Sequence, residues 1–203
     1  MAKHLAPPTN TYRNLRLGAI LTGLLLVSFL VIGTSRAAFS DTTDNSGNAF
    51  TSGSVTITDD DGGDALFDVS ALAPGDSHEN CIEVTYTGTL SAEVRLYGTA
   101  GASSDLNDTL TVTVQRGTGG GFVGTETPSG SLSCTGFVSA NEVFSGTLTT
   151  FLNATNYGTG EDNWAVTNGS SAVYRFFVEF DTSDDSLQGG TSNVTFTWEA
   201  QNT

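Results

Sequence analysis

Few kinds of side chain beyond residue 40 are able to do chemistry. His78, the only histidine there, stands beside Glu79 just after the turn Pro74-Gly75-Asp76. A Ser-His-Asp triad would have to use it, yet no serine sits in a Gly-x-Ser-x-Gly elbow. Its position after a turn favours a solvated loop histidine. No His-Glu-x-x-His occurs, so a helical zinc-protease site is not encoded. Cys81 and Cys134 with one histidine do not make a standard zinc set. Carboxylates are plentiful, but nothing singles out an acid pair for glycoside hydrolysis. The run Asp59-Asp60-Asp61-Gly62-Gly63-Asp64 is more specific. Hard oxygen ligands set around glycine suit calcium, which makes Asp59, Asp61 and Asp64 candidate ligands. An EF-hand count from Asp59 places Ser70 where a glutamate belongs, so that loop is excluded. A second acidic cluster is Asp181, Asp184 and Asp185. For both clusters a solvated turn is the competing reading. Apart from calcium, no cofactor is implied. Gly119-Gly120-Gly121-Phe122-Val123-Gly124 matches Gly-x-Gly-x-x-Gly in form, but it opens no helix in a βαβ unit. It reads as a β-loop.

Charge and compartment narrow the field further. An apolar run of about 17 residues, Leu17 to Gly33, gives way to Ser35-Arg36-Ala37-Ala38 and then Phe39-Ser40-Asp41. Charged side chains before this junction are all basic: Lys3, Arg13, Arg16 and Arg36. Residues 1–38 therefore read as a signal peptide, with a basic start over 1–16, an apolar stretch over 17–33 and cleavage near 37/38. The small-x-small rule favours the bond after Ala37. A run this short leaves a retained anchor as the alternative, and the membrane is then met only through the uncleaved leader. All 22 acids lie beyond residue 40, with Arg95, Arg116 and Arg175 as the only cations and no lysine. Three arginines against 22 acids leave the exported part at −19, compared with −15 for the whole chain. Such a surface repels nucleic acid and anionic headgroups, stays soluble in concentrated salt and attracts cations. In an oxidising compartment Cys81 and Cys134 pair, and the closed loop stabilises the fold by about 4 kcal/mol in the chain-entropy model. Two free thiols are the alternative. Asn107, Asn153, Asn168 and Asn193 each stand in an Asn-x-Ser/Thr triplet, which means little in a threonine-rich chain.

The elements that must position these residues read as strands. Ile82, Val84 and Tyr86 alternate with Glu83, Thr85 and Thr87. Leu90, Ala92, Val94 and Leu96 repeat the pattern after Gly88-Thr89, which suggests a hairpin. Leu110, Val112 and Val114 alternate with threonines. Tyr174, Phe176, Val178 and Phe180 line the longest strand, and Val194, Phe196 and Trp198 the last. Weaker strands are expected over Ser54 to Thr58 and near Val143 to Leu152, with a short helical turn within Phe144 to Tyr157. Seven to nine short strands predict an all-β, jelly-roll-like two-sheet sandwich over residues 39–203. Its buried set includes Val84, Leu96, Val112, Phe176, Phe180, Phe196 and Trp198.

The junction residues carry a resemblance. Ala38-Phe39-Ser40-Asp41-Thr42 and Ser46-Gly47-Asn48-Ala49-Phe50-Thr51-Ser52-Gly53-Ser54-Val55 resemble the opening of the camelysin/TasA family. The turn Leu72-Ala73-Pro74-Gly75-Asp76 is similar to that family's next landmark. Ser186-Leu187-Gln188-Gly189-Gly190 and Val194-Thr195-Phe196-Thr197-Trp198-Glu199-Ala200 are similar to its closing strand. The stretch from Gly98 to Gly169 has no close match. The resemblance implies processing by a SipW-type signal peptidase, with cleavage directly before Phe39, one residue from the small-x-small position. It also implies a jelly-roll domain on the cell surface or in the extracellular matrix. In the TasA branch the freed N-terminal segment joins a neighbouring subunit as a strand and builds biofilm fibres.

Phe39 to Phe50 is polar and contains glycine, with an aromatic at each end, so it suits addition to a sheet edge independently of the resemblance. Residues 39–53 are thus a candidate donor segment, Phe39 and Phe50 its candidate anchors, and a second copy of the chain its expected partner. Folding back onto its own domain is the alternative. The resulting expectation is a secreted, self-associating structural protein. A camelysin-type metallopeptidase and a calcium-dependent extracellular binding module remain the alternatives. No catalytic residue carries over from the camelysin branch.

Overall fold

The computed structural model describes residues 11–34, 51–101, 105–127, 133–180, 187 and 189–203. The chain divides into two compact units, Met1–Phe50 and Thr51–Thr203. In the first, helix α1 runs over Thr11–Thr34 and takes in the whole apolar run. Straight-chain leucines favour that helix. Leu15, Leu17, Ile20, Leu21, Leu24, Leu25 and Leu26 on it are all exposed. Among the described residues no helix is long and apolar enough to cross a membrane.

The second unit is an all-β sandwich. Its strands are β1 (Ile57–Asp59), β2 (Ser77–Tyr86), β3 (Ala92–Ala100), β4 (Leu110–Thr118), β5 (Val138–Thr147), β6 (Glu161–Val166), β7 (Ser170–Phe180) and β8 (Val194–Asn202). A five-stranded sheet has the order β1-β2-β7-β4-β5, and a three-stranded sheet the order β6-β3-β8. Every strand pairing is antiparallel. β1 runs near β8 and β5 near β6, so the two sheets meet along both sides.

Alternation in the sequence places the core correctly. Ile82, Val84, Tyr86, Leu96, Val112, Val114, Tyr174 and Phe176 are all within 1 % of complete burial. Each large side chain so buried contributes about 1.5–3 kcal/mol before entropy is subtracted. Phe180 is buried as well, whereas Phe196 and Trp198 on β8 are only partly buried against the core. Their rings nonetheless complete an aromatic stack. Phe196 lies 4.5 Å from Phe176, and Trp198 lies 5.4 Å from Tyr174, centroid to centroid.

Three local expectations change. Gly88-Thr89 does not make a hairpin: β2 lies in the large sheet and β3 in the small one, and the chain arches between them. Two strands facing the same core from opposite sheets show the same alternation as two neighbours in one sheet, so the pattern alone does not separate the cases. β5 begins at Val138 rather than Val143, and the turn of helix that follows is α2 (Leu148–Phe151). β6 was not anticipated. It buries only Trp164 and Val166, too few apolar positions to register as alternation.

Gly98 shows how tightly β3 meets α2. A Cβ at this position would come within 2.7 Å of the Phe151 ring, which is fully buried. Gly98→Val is therefore expected to lower stability by about 1–3 kcal/mol through overpacking, measured by chemical denaturation. An unchanged midpoint would contradict this packing.

Candidate functional site

His78 is not a solvated loop residue. It lies on β2, and its Nδ1 is 3.1 Å from Oε1 of Glu126, with the two side chains 16 % and 7 % exposed. Glu126 is positioned by a parallel bridge to Phe67: its backbone N–H donates to Leu66 and its carbonyl accepts from Asp68. Its second carboxylate oxygen is buried without a hydrogen-bond partner among the described residues. The histidine is thus held by a buried acid. Among the described residues its ring bonds to no serine, threonine or cysteine.

The acidic run works mainly on backbone. The Asp60 carboxylate accepts from the N–H of Glu83 on β2 and of Phe122, each at 2.8 Å. Asp61 accepts from the N–H of Gly63 at 2.7 Å, and its carbonyl accepts from Asp64. Desolvation raises the Asp59 carboxyl above the usual range, and hydrogen bonding and repulsion from Asp61 raise it further. Of the three candidate calcium ligands, Asp59 and Asp61 are therefore close neighbours, while Asp64 is tied in through its main chain. Among the described residues no three His, Cys, Asp or Glu side chains gather into a metal-binding group. Asp181, Asp184 and Asp185 lie outside the described residues, as do Ala37, Ala38, Phe39 and Phe50.

Cys81 and Cys134 are bonded to one another. The disulfide ties β2 to a strap made of residues 119–127 and 133–137. Asn80, fully buried, donates to the carbonyls of Leu66 and Gly124 and accepts from the N–H of Cys81. The Ser133 carbonyl accepts from Gly121 N–H, and its hydroxyl from Val123 N–H. The glycine-rich motif is the crossing of this strap. Gly121 has φ +146°, and a Cβ there would meet the Asp60 carboxylate at 2.9 Å. The sequence does not mark Asp60, Asn80 and Glu126 as structural, because each has a partner more than 40 positions away: Phe122, Gly124 and His78.

All three arginines of the sandwich are paired with an acid and lie over an aromatic ring. Arg95 joins Glu93 and covers Tyr157, Arg116 joins Asp162 and covers Trp164, and Arg175 joins Glu79 and covers Phe177. The Arg116 pair is the most buried, at 16 % and 7 % side-chain exposure, and it links β4 of the large sheet to β6 of the small one. Asp162 takes two bonds from the guanidinium and a third from the Tyr174 hydroxyl at 2.9 Å. Burial and the Asp162 charge push that hydroxyl far above its ordinary value. Asp162 holds a left-handed backbone, φ 67°, which a non-glycine residue keeps only when its surroundings enforce it. Among the described residues of the sandwich each guanidinium has an acid partner.

Asp162→Ala strands a buried guanidinium and is expected to cost about 3–5 kcal/mol in denaturant unfolding. A loss below about 1 kcal/mol would contradict the clamp. Asp59→Asn works in the opposite direction. A carboxyl raised in the folded state favours folding when protonated and opposes it once ionised. The variant is therefore expected to melt higher than the parent at pH 7, with the gap closing as pH falls through the carboxylate range. A gap that widens on acidification would contradict this sign.

No curated protein matches the chain. A family model does: that of the camelysin metallo-endopeptidases, over residues 12–110, close to half of the sequence. The match runs from α1 through the first residue of β4 and takes in the acidic run, the Pro74-Gly75 turn, His78 and Cys81. Over those residues the chain is similar to the camelysin family.

Proposed function

We propose that this is an exported structural protein of the cell surface or extracellular matrix that self-associates by strand addition, residues 39–53 of one copy joining a sheet of the next. The observation that carries the reading is the mismatch between the sheets, five strands against three, which leaves inward-facing side chains of β8 only partly covered. A further strand beside them would bury apolar surface and satisfy edge backbone groups together. Export is supported by α1, whose exposed leucines need an apolar environment and follow a basic start. Residues 1–38 are then the leader removed by a SipW-type signal peptidase. The disulfide suits an oxidising exterior.

The family's printed description favours a second reading, a metallopeptidase. Against it, the described residues bring no group of three His, Cys, Asp or Glu side chains together around His78, and the sequence holds no His-Glu-x-x-His. Casein cleavage by the pure domain that stops with a chelator would establish the peptidase instead.

The decisive comparison is between a chain starting at Phe39 and one starting at Gly47. Loss of Phe39–Ser46 is expected to slow assembly at least tenfold, followed by light scattering and electron microscopy. Filaments forming equally fast from both would remove strand addition as the mechanism.

A further inference from the structure

Asn107, Asn153, Asn168 and Asn193 each open an Asn-x-Ser/Thr triplet, and the fold gives the four triplets different surroundings. N-linked glycosylation joins a sugar to Nδ2 of such an asparagine while an enzyme reads the hydroxyl two residues on. Both side chains must therefore be accessible together. Two of the triplets fail that condition. Asn107 is 4 % exposed, in a short 3₁₀ turn over Asp105–Asp108. Its side-chain oxygen accepts from the Ser192 hydroxyl, and the Thr109 hydroxyl donates to the Leu106 carbonyl. A sugar on Asn107 would not fit the folded chain. Asn168 is exposed, in the turn between β6 and β7, but its Nδ2 donates to the carbonyls of Thr87 and Gly88 at 3.1 and 3.2 Å. These bonds tie the turn to the arch after β2. The Ser170 hydroxyl of the same triplet accepts from Thr167 N–H.

The other two triplets meet it. In Asn153-Ala154-Thr155 the middle residue is buried, and its carbonyl accepts from Gly98 N–H on β3. Asn153 and Thr155 on either side are exposed. The Thr155 hydroxyl accepts from the Asn156 amide at 3.3 Å and keeps its own proton for a further bond. In Asn193-Val194-Thr195 the middle residue packs against the core, and Asn193 and Thr195 are exposed. This triplet leads into β8, where side chains alternate, so the asparagine and the threonine share the outer face. The Asn193 carbonyl accepts from Gly101 N–H, which fixes the main chain. Gly101 also leaves clearance, since a Cβ there would stand 3.2 Å from the Asn193 Cβ. Among the described residues neither the Asn153 nor the Asn193 side-chain amide is hydrogen-bonded. Each triplet is thus anchored by its middle residue, with the nucleophilic nitrogen and the hydroxyl standing in solvent on either side.

We propose that Asn153 and Asn193 are N-glycosylation sites, each taking an oligosaccharide from a polyisoprenyl phosphate or diphosphate donor outside the cytoplasm; this rests on the export reading above. Nδ2 attacks C1 of the first sugar and a C1–Nδ2 bond forms. The C1–O bond to phosphate breaks, the lipid phosphate leaves with the bonding pair, and the amide loses one proton to a base of the transferase. A bulky hydrated group at either position displaces no hydrogen bond of the fold.

The test is mass spectrometry of the protein recovered from the surface or medium of the cells that naturally make it. Peptides spanning Asn153 and Asn193 are expected to shed sugar residues on fragmentation, and peptides spanning Asn107 and Asn168 to keep their unmodified masses. Asn153→Gln and Asn193→Gln are each expected to remove the mass of one glycan, and the two together all of it. Thr195→Val keeps the branched shape and deletes the hydroxyl, so it is expected to abolish the adduct at Asn193, whereas Thr195→Ser retains it. All three substituted positions are exposed, so the variants leave the core untouched. Exported protein with a bare Asn153 or Asn193, or with sugar on Asn107 or Asn168, would overturn the assignment and leave export standing. Protein found only inside the cell with residues 1–38 still attached would overturn the export reading, and the assignment with it.

Discussion

Three guanidinium groups supply all the positive side-chain charge of the sandwich, and its polar architecture follows from that scarcity. With no lysine beyond residue 40 and 22 acids, most carboxylates cannot find a cation. Several find backbone N–H groups instead: Asp60 takes Glu83 and Phe122, Asp61 takes Gly63, and Asp76 takes Ala73. A carboxylate accepting amide hydrogen bonds is stabilised as an anion and fixes a turn as well. The three arginines are kept where they do most. Arg116 sits where two sheets must be joined, and its aromatic cover and bidentate acid offset part of the cost of burying charge.

The same scarcity bears on the sheet edges. Lysine is among the commonest devices for keeping edge strands from pairing. A chain without it must guard edges by shape. The strap over the outer side of β2, the register breaks of β5 and the twisted start of β6 are such devices, and each uses backbone geometry rather than a charged head. They also explain the glycines of the strap. Gly119, Gly120 and Gly121 all hold positive φ, and a side chain at Gly120 or Gly121 would meet Ser133 or Asp60.

Period-2 alternation made the sandwich legible wherever a strand buries one clean face. Ile82, Val84 and Tyr86, and Tyr174 to Phe180, could be placed from residue types alone. What alternation cannot carry is the identity of the facing strand, hence the arch mistaken for a hairpin after Tyr86. It also misses strands held by polar links. β6 is fixed largely by Asp162, which looks in sequence like one more surface acid. His78 was misread for the same reason: its partner Glu126 is 48 positions away, and nothing local marks either side chain as buried. The segment from Ala37 to Phe50 falls outside the described residues, so its role rests on composition and on the edge it would join.

The disulfide connects compartment to edge. Cys81 lies on the part of β2 that β1 does not reach, and Cys134 follows directly on Ser133, which holds two strap amides. Closing a loop of this length favours the folded chain by about 4 kcal/mol in the chain-entropy model. The strap's other contacts are the Glu126–His78 pair, the partly buried Phe122 and hydrogen bonds of about 1 kcal/mol each, and the covalent link adds to all of these. In a reducing environment the link would be absent and the edge of β2 would be held by Asp60, Asn80 and the Glu126–His78 pair. The covalent link thus helps to keep the edge of β2 closed to strand pairing.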